Sequence, residues 1–338
     1  VTQQLSRPRV DSPAARPFMK WLVLFVLGGA LLYGAGILWA GWRPFVDAID
    51  TLGPAALMAG AAVASSAYLL RFARWHFALD RLGSRVPLRF NLAVYLSGLA
   101  LTASPGKLGE TFRSALLFPR GVPFQRSLAC FLADRLSDVL GVCLIGALAG
   151  AWQGRPWNVA TFAFVGLAGG SFVFRWLVAR IGGQGPARWL PAMLRRPGQA
   201  AAQTLAEWAR VWSAGHVALF ILAAFLAYGI QACVFAWFSQ RMGVQLPLAT
   251  AIDIFVDATL LGAASLVPGG LGAMEGVLVL RLGAQGAETA TAISVAIATR
   301  LVTLWFGVLI GLVALSGVVG LRPHGVSPAD QDAGSGMV

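Results

Sequence analysis

Apolar stretches of about twenty residues alternate along the chain with short segments rich in arginine, proline and glycine. The uninterrupted runs at 21–40 and 216–238 reach the ~20 residues that an α-helix needs to cross a bilayer. The same pattern predicts crossings over 54–70, 124–151, 158–178 and 289–318, six in all. Four shorter apolar segments, 90–103 with 108–118 and 248–265 with 271–282, are too short to span and are interrupted in pairs by Pro-Gly. Each pair is expected to form a re-entrant helical hairpin with its tip inside the membrane. Protein or water must then satisfy the free backbone groups of the tip. Residues 186–212 alternate arginine with Trp189, Leu190, Met193, Leu205, Trp208 and Trp212 at helical spacing. This pattern predicts an amphipathic helix on the membrane surface, with a helix packed on protein as the alternative. Polar tails are expected at 1–20 and 321–338, so 21–320 reads as one transmembrane domain of an all-α polytopic membrane protein. The first run is longer than a secretory signal and lacks its small-residue cleavage pattern, so it is expected to be retained.

The Pro-Gly breaks belong to an internal repeat. Ser104-Pro105-Gly106-Lys107-Leu108-Gly109-Glu110 in the first half is answered by Val267-Pro268-Gly269-Gly270-Leu271-Gly272-Ala273-Met274-Glu275 in the second. Arg135 follows Glu110 by 25 residues, and Arg300 follows Glu275 by 25. Leu144-Ile145-Gly146 and Leu309-Ile310-Gly311 extend the match at the same offset of 165. The repeats run over about 88–151 and 248–318. Three crossings separate the two hairpins, so the second is expected to enter from the opposite side, making the repeats inverted. Broken helices at matching places in inverted halves point to a binding site near the midplane.

Composition narrows the class. Hydrophobic residues are 57% of the 338, mean hydropathy is +0.72 and charged residues are 12%, about half the ~25% of soluble domains. The net charge of +12 sits beside the apolar runs, which suits membrane orientation and anionic lipid, and no nucleic-acid module is visible. With the N-terminus inside, 19 basic residues fall on the cytoplasmic side (among them Arg71, Arg74 and Arg113) and four outside, with Lys107, Arg135 and Arg300 intramembrane. Both termini are therefore expected in the cytoplasm. Cys130, Cys143 and Cys233 lie within predicted helices as packing residues, and the scattered His76, His216 and His324 form no ligand pattern. Neither a metal site nor any cofactor is expected.

The candidate chemistry is the intramembrane charge. Each ionisable group in a spanning segment costs roughly 2.5–3.5 kcal/mol, so it needs a partner or a purpose. Lys107, Arg135 and Arg300 are candidates for holding an anionic headgroup beside half-helices whose N-terminal N–H groups favour anions. Glu110, Glu275, Asp134, Asp138 and Asp257 are candidate gating or ion-pair groups, and Asp134 and Asp138 share a helix face with one turn between them. Structural pairing of Glu110 with Arg135, and of Glu275 with Arg300, is the plainer alternative. Pro105, Gly106, Gly109, Pro268, Gly269, Gly270 and Gly272 form the hairpin tips. In the last helix Thr299 and Thr303 stand where the first half has Asp134 and Asp138.

The run Pro105-Gly106-Lys107-Leu108-Gly109-Glu110, the segment Asp134-Arg135-Leu136-Ser137-Asp138, and Pro268-Gly269-Gly270-Leu271-Gly272 with Glu275 resemble the lysylphosphatidylglycerol synthase transmembrane (flippase-like) family. The resemblance covers about 20–320. It implies a bacterial inner-membrane lipid translocase whose partners are membrane lipids, anionic or phosphate-bearing, with any lipid-synthesis enzyme encoded separately. The soluble synthase domain of larger members has no counterpart here, so synthase activity is not implied. No Gly-x-x-x-x-Gly-Lys-Ser/Thr motif occurs, which leaves a gradient, a partner or no coupling as the driving force. A non-transporting scaffold, and an enzyme acting on lipid headgroups through Asp134 and Asp138, stand as alternatives.

Overall fold

A computed structural model of the chain describes residues 42–102, 104, 109–181 and 192–320. Among these residues every regular element is helical: α1 (Trp42–Arg81), α2 (Leu88–Ser97), α3 (Phe112–Leu117), α4 (Phe124–Trp152), α5 (Val159–Ile181), α6 (Ala192–Val211), α7 (Ala214–Arg241), α8 (Leu248–Ala264), α9 (Ala273–Gly283), α10 (Thr289–Arg300) and α11 (Phe306–Gly320). The expected first crossing, both tails and the start of the amphipathic segment lie outside the described residues. Proline sets three of the helix starts, because Pro87, Pro123 and Pro247 directly precede α2, α4 and α8. At such a position its missing N–H removes no intrahelical bond.

The boundaries of α4, α5, α7 and α8 fall close to those expected, but α1 does not. It begins at Trp42, where a loop is expected, bends at Gly53 (φ 72°) ahead of Pro54, and continues to Arg81 instead of ending at 70. The apolar face explains the continuation. Phe72, Trp75, Leu79 and Leu82 recur at helical spacing and are buried in a core shared with Tyr95, Trp212 and Phe220. Arg71 and Arg74 are thereby drawn into the interior, and Arg113 of α3 is buried as well. The expectation that these three arginines lie at the cytoplasmic surface is corrected.

Helices α4 and α7 form the spine. They pack on each other, and α4 also touches α1, α3, α5, α6 and α8. Their contact is close because Gly141 of α4 leaves no room for a Cβ against Ala224 of α7. A second core gathers Phe235, Ile254, Phe255, Leu278 and Val295 from the later helices. Each interrupted stretch contains two α-helices, α2 with α3 and α8 with α9, and α2 runs on into a 3-10 turn, Gly98–Leu101. In the later one α8 and α9 pack side by side across the Pro268–Gly270 turn. The last apolar stretch contains a π-helical turn, Leu301–Trp305, directly after Arg300.

Among the described residues, four helices are long and apolar enough to cross a membrane: Asp50–Arg81, Val159–Arg180, Ala214–Arg241 and Thr289–Val318. Helix α4 has the length but carries Arg126, Asp134, Arg135 and Asp138. The amphipathic segment is packed on protein at the C-terminal end of α6, while Met193 near its start is exposed. Trp208 and Trp212 are buried, Trp212 donates its indole N–H to Ser171 of α5, and Arg126 of α4 pairs with Glu207.

Helix α11 approaches the turn after α2 so closely that a Cβ at Gly311 would collide with the backbone of Leu99 and Ala100. Neither backbone atom can rotate away. Gly311→Ala is expected to destabilise the detergent-solubilised protein by about 1–3 kcal/mol, read as a lower thermal unfolding midpoint. Gly317→Ala, which faces open space, should leave that midpoint unchanged or slightly raised.

Candidate functional site

A cavity of about 290 Å3 lies where the two interrupted stretches meet α1, α4 and α7. The first stretch contributes Tyr95, Leu99, Ser104 and Glu110, and the second contributes Thr259, Gly269, Gly270 and Met274. Tyr68 and Arg71 reach it from α1, Arg135 and Asp138 from α4, Tyr228 and Gln231 from α7, and Arg300 and Thr303 from the last helical stretch. An apolar wall with a few convergent polar groups is the usual build of a ligand site.

The first-half charges form a continuous network. Asp134 and Asp138, one turn apart on α4, are bridged by Arg74, whose Nε donates to Asp134 at 2.8 Å and whose Nη2 donates to Asp138 at 2.8 Å. Arg135 pairs with Asp138 at 3.2 Å and with Glu110 at 3.5 Å. Glu110 also pairs with Arg113 at 2.9 Å and accepts a hydrogen bond from Thr102. The Arg113 guanidinium lies 4.0 Å from the centre of the Tyr95 ring and is only 1% exposed. Removing ions from water is costly, and multiple short contacts of this kind are what compensate it.

The second half is sparer. Arg300 donates from Nε to Glu275 at 2.7 Å and from Nη2 to the Gly269 carbonyl, so it ties the last helical stretch to the Pro-Gly turn. Gly270 holds that turn with a left-handed φ of 67°, and a Cβ there would sit 3.2 Å from the Gly262 carbonyl oxygen, so a side chain is disfavoured. Thr299 and Thr303, opposite in sequence to the two aspartates, donate to carbonyls of their own helix. Tyr68 of α1 donates its hydroxyl to the Thr303 carbonyl within the π-helical turn, a deformation that recurs at functional sites.

Both glutamate–arginine pairs drawn from the 25-residue spacing meet in space, and both arginines line the cavity. Gly109 sits beside Ser104, donating its N–H to the serine hydroxyl. Lys107, Pro105 and Gly106 lie outside the described residues. Asp257 is not at the cavity: it pairs with Arg281, which also contacts Asp253. Of the expected anion sites at the half-helix starts, the residues that follow the first Pro-Gly break, up to 108, lie outside the described residues. Helix α3 has six residues, and the first turn of α9 carries Glu275, which is engaged by Arg300. Three site residues escaped the sequence reading, namely Arg71, Arg74 and Arg113. Arg71 and Arg74 stand at positions three and six after Tyr68, one face of a helix that continues past 70, and this periodicity was the available signal.

The family described as Lysylphosphatidylglycerol synthase TM region matches residues 24–311. The chain is a member of this family. It is also similar to a UPF0104 membrane protein of Methanothermobacter thermautotrophicus, 26% identical over 99 residues, which is 27% of this chain and 29% of that protein. Membership agrees with the all-helical architecture and with the four apolar spans.

Arg74 should be the most costly side chain of the network to remove, because two buried carboxylates depend on it. Arg74→Met is expected to lose about 3–5 kcal/mol of stability. Adding Asp134→Leu and Asp138→Leu should recover much of that loss. Thermal midpoints in detergent, followed by size-exclusion chromatography, check both steps.

Proposed function

We propose that this chain is a lipid translocase of the bacterial inner membrane, moving a phospholipid or another amphipathic lipid between leaflets. The headgroup would occupy the cavity, with the acyl chains left in the surrounding hydrocarbon. The observation that carries this reading is the position of the cavity. It is lined by Ser104 and Glu110, which flank the first Pro-Gly in sequence, and by Gly269 and Gly270 of the second, with arginines from both halves and apolar walls. A headgroup crossing bare hydrocarbon meets a cost of the same kind as a charged side chain, and a polar cavity at mid-depth lowers it. In this reading the interrupted stretches are re-entrant hairpins of inverted repeats, and the Glu110–Arg135 and Glu275–Arg300 pairs are the contacts that exchange as access alternates. Orientation supports the same arrangement. Taking Arg71, Arg74 and Arg113 out of the surface count leaves sixteen basic residues inside against four outside, so both termini face the cytoplasm. Arg74 closing across Asp134 and Asp138 favours translocation over headgroup chemistry, since it occupies the pair an acid–base mechanism would use.

Reconstitution into liposomes containing fluorescent phosphatidylglycerol, with reduction of the exposed label from outside, tests the proposal. Wild type should expose inner-leaflet label faster than protein-free liposomes. Arg135→Ala should lower that rate roughly ten- to hundredfold while remaining monodisperse. A wild-type rate equal to that of empty liposomes, for anionic and zwitterionic lipids alike, would overturn it.

A further inference from the structure

Among the described residues, the charge around the cavity does not balance. Arg74, Arg113, Arg135 and Arg300 are each in an ion pair, and the carboxylates of Glu110, Asp134, Asp138 and Glu275 are all engaged by them. Arg71 is the exception. It is 7% exposed and lines the cavity, and its Nε and Nη2 have no hydrogen-bond partner among the described residues. The Tyr228 ring lies 4.3 Å from its guanidinium carbon, a contact that does not use the N–H donors. Nε and Nη2 form one edge of the guanidinium, two parallel donors spaced to meet two oxygens of a single anion. One turn further along α1, Arg74 shows what that edge takes in this protein. Its Nε and Nη2 hold two carboxylate oxygens at 2.8 Å each.

We propose that Arg71, beside the Tyr228 ring, is the anion-binding group of the cavity and takes a phosphate-type oxyanion through two parallel hydrogen bonds. Among the described residues, the four arginines paired in and around the cavity are matched by four carboxylates, so Arg71 supplies one positive charge with no ion-pair partner of its own. The matching ligand presents one negative charge on two oxygens, as a phosphodiester does. This inference rests on the headgroup reading of the cavity but shifts the phosphate contact from Arg135 and Arg300 to Arg71, leaving each of those two in the ion pair of its own half, with Glu110 and Glu275. A phosphodiester of a lipid and a free phosphate share this chemistry.

Native mass spectrometry of the full chain in detergent separates the possibilities. Wild type, Arg71→Gln, Arg71→Lys and Arg135→Ala are each offered phosphatidylglycerol, or diacylglycerol with the same acyl chains. Wild type should retain phosphatidylglycerol in preference to diacylglycerol. Arg71→Gln should cut that retention roughly ten- to hundredfold, and Arg71→Lys, which keeps the charge but loses the fork, should fall between them. Monodisperse elution of the Lys variant guards against a folding defect. Retention unchanged in Arg71→Gln but lost in Arg135→Ala would overturn the assignment to Arg71 while leaving the lipid cavity standing. Wild type showing no lipid preference, yet stabilised against heat by inorganic phosphate in an Arg71-dependent way, would keep the oxyanion site and remove the lipid as its source. If neither phosphatidylglycerol nor inorganic phosphate binds, the proposal fails.

Discussion

Arg74 reaches from α1 to both aspartates of α4, and the rest of the charged interior is arranged around that contact. An apolar helical bundle tolerates ions only in mutually satisfied groups, so fixing one guanidinium between two carboxylates dictates where the next charges can go. Asp138 has a second oxygen that engages Arg135, Arg135 reaches Glu110, and Glu110 turns back to Arg113. The chain of contacts runs from α1 through α4 to the segment after the first interruption. It fastens the break in that helical stretch to the spine of the fold. It adds to the burial of Leu117 in the main core, which also holds the short α3 in place.

The two halves solve the same problem with different means. In the first, three arginines and three carboxylates make a network, and Arg113 is sandwiched against aromatic rings. In the second, Leu278 is buried at the place that corresponds to Arg113, threonines replace the aspartates, and one ion pair with a backbone carbonyl does the fastening. A polar network on one side of the cavity and a single clasp on the other give the site unequal walls. A ligand between them meets a dense, rigid array on one flank and a lighter contact on the other.

Much of this was legible in the sequence. Pro123 and Pro247 mark the starts of α4 and α8, and the constant spacing of 25 residues found both glutamate–arginine pairs. The end of α1 was misread because Arg71 and Arg74 resemble the basic flank that normally closes a membrane helix. The apolar positions Phe72, Trp75 and Leu79 continue the helical face through them, and burial of that face outweighs the charge signal. Trp208 and Trp212 carried the opposite lesson. A tryptophan–arginine alternation looks interfacial, yet both rings are packed against α5 and α7 side chains such as Phe174 and Phe220. No property of Arg71 in sequence distinguishes it from Arg74, because only the third dimension decides which of two neighbouring guanidinium groups finds its carboxylates.

The wide turn at Leu301–Trp305 alters what the internal repeat means. A π-helical turn accommodates one residue more than an α-helical turn, so the helix beyond it is out of phase by about 100° with an uninterrupted one. Helix α4 has no such turn after Arg135. The extra residue is nevertheless absorbed without loss of the matching contacts. Gly146 of α4 lies against Val256 of α8, in the first helix of the second stretch, and Gly311 of α11 lies against the backbone at Ala100, at the end of the first helix of the first stretch. What the repeat conserves is therefore which helix meets which, with the wide turn rephasing the side chains that make the meeting.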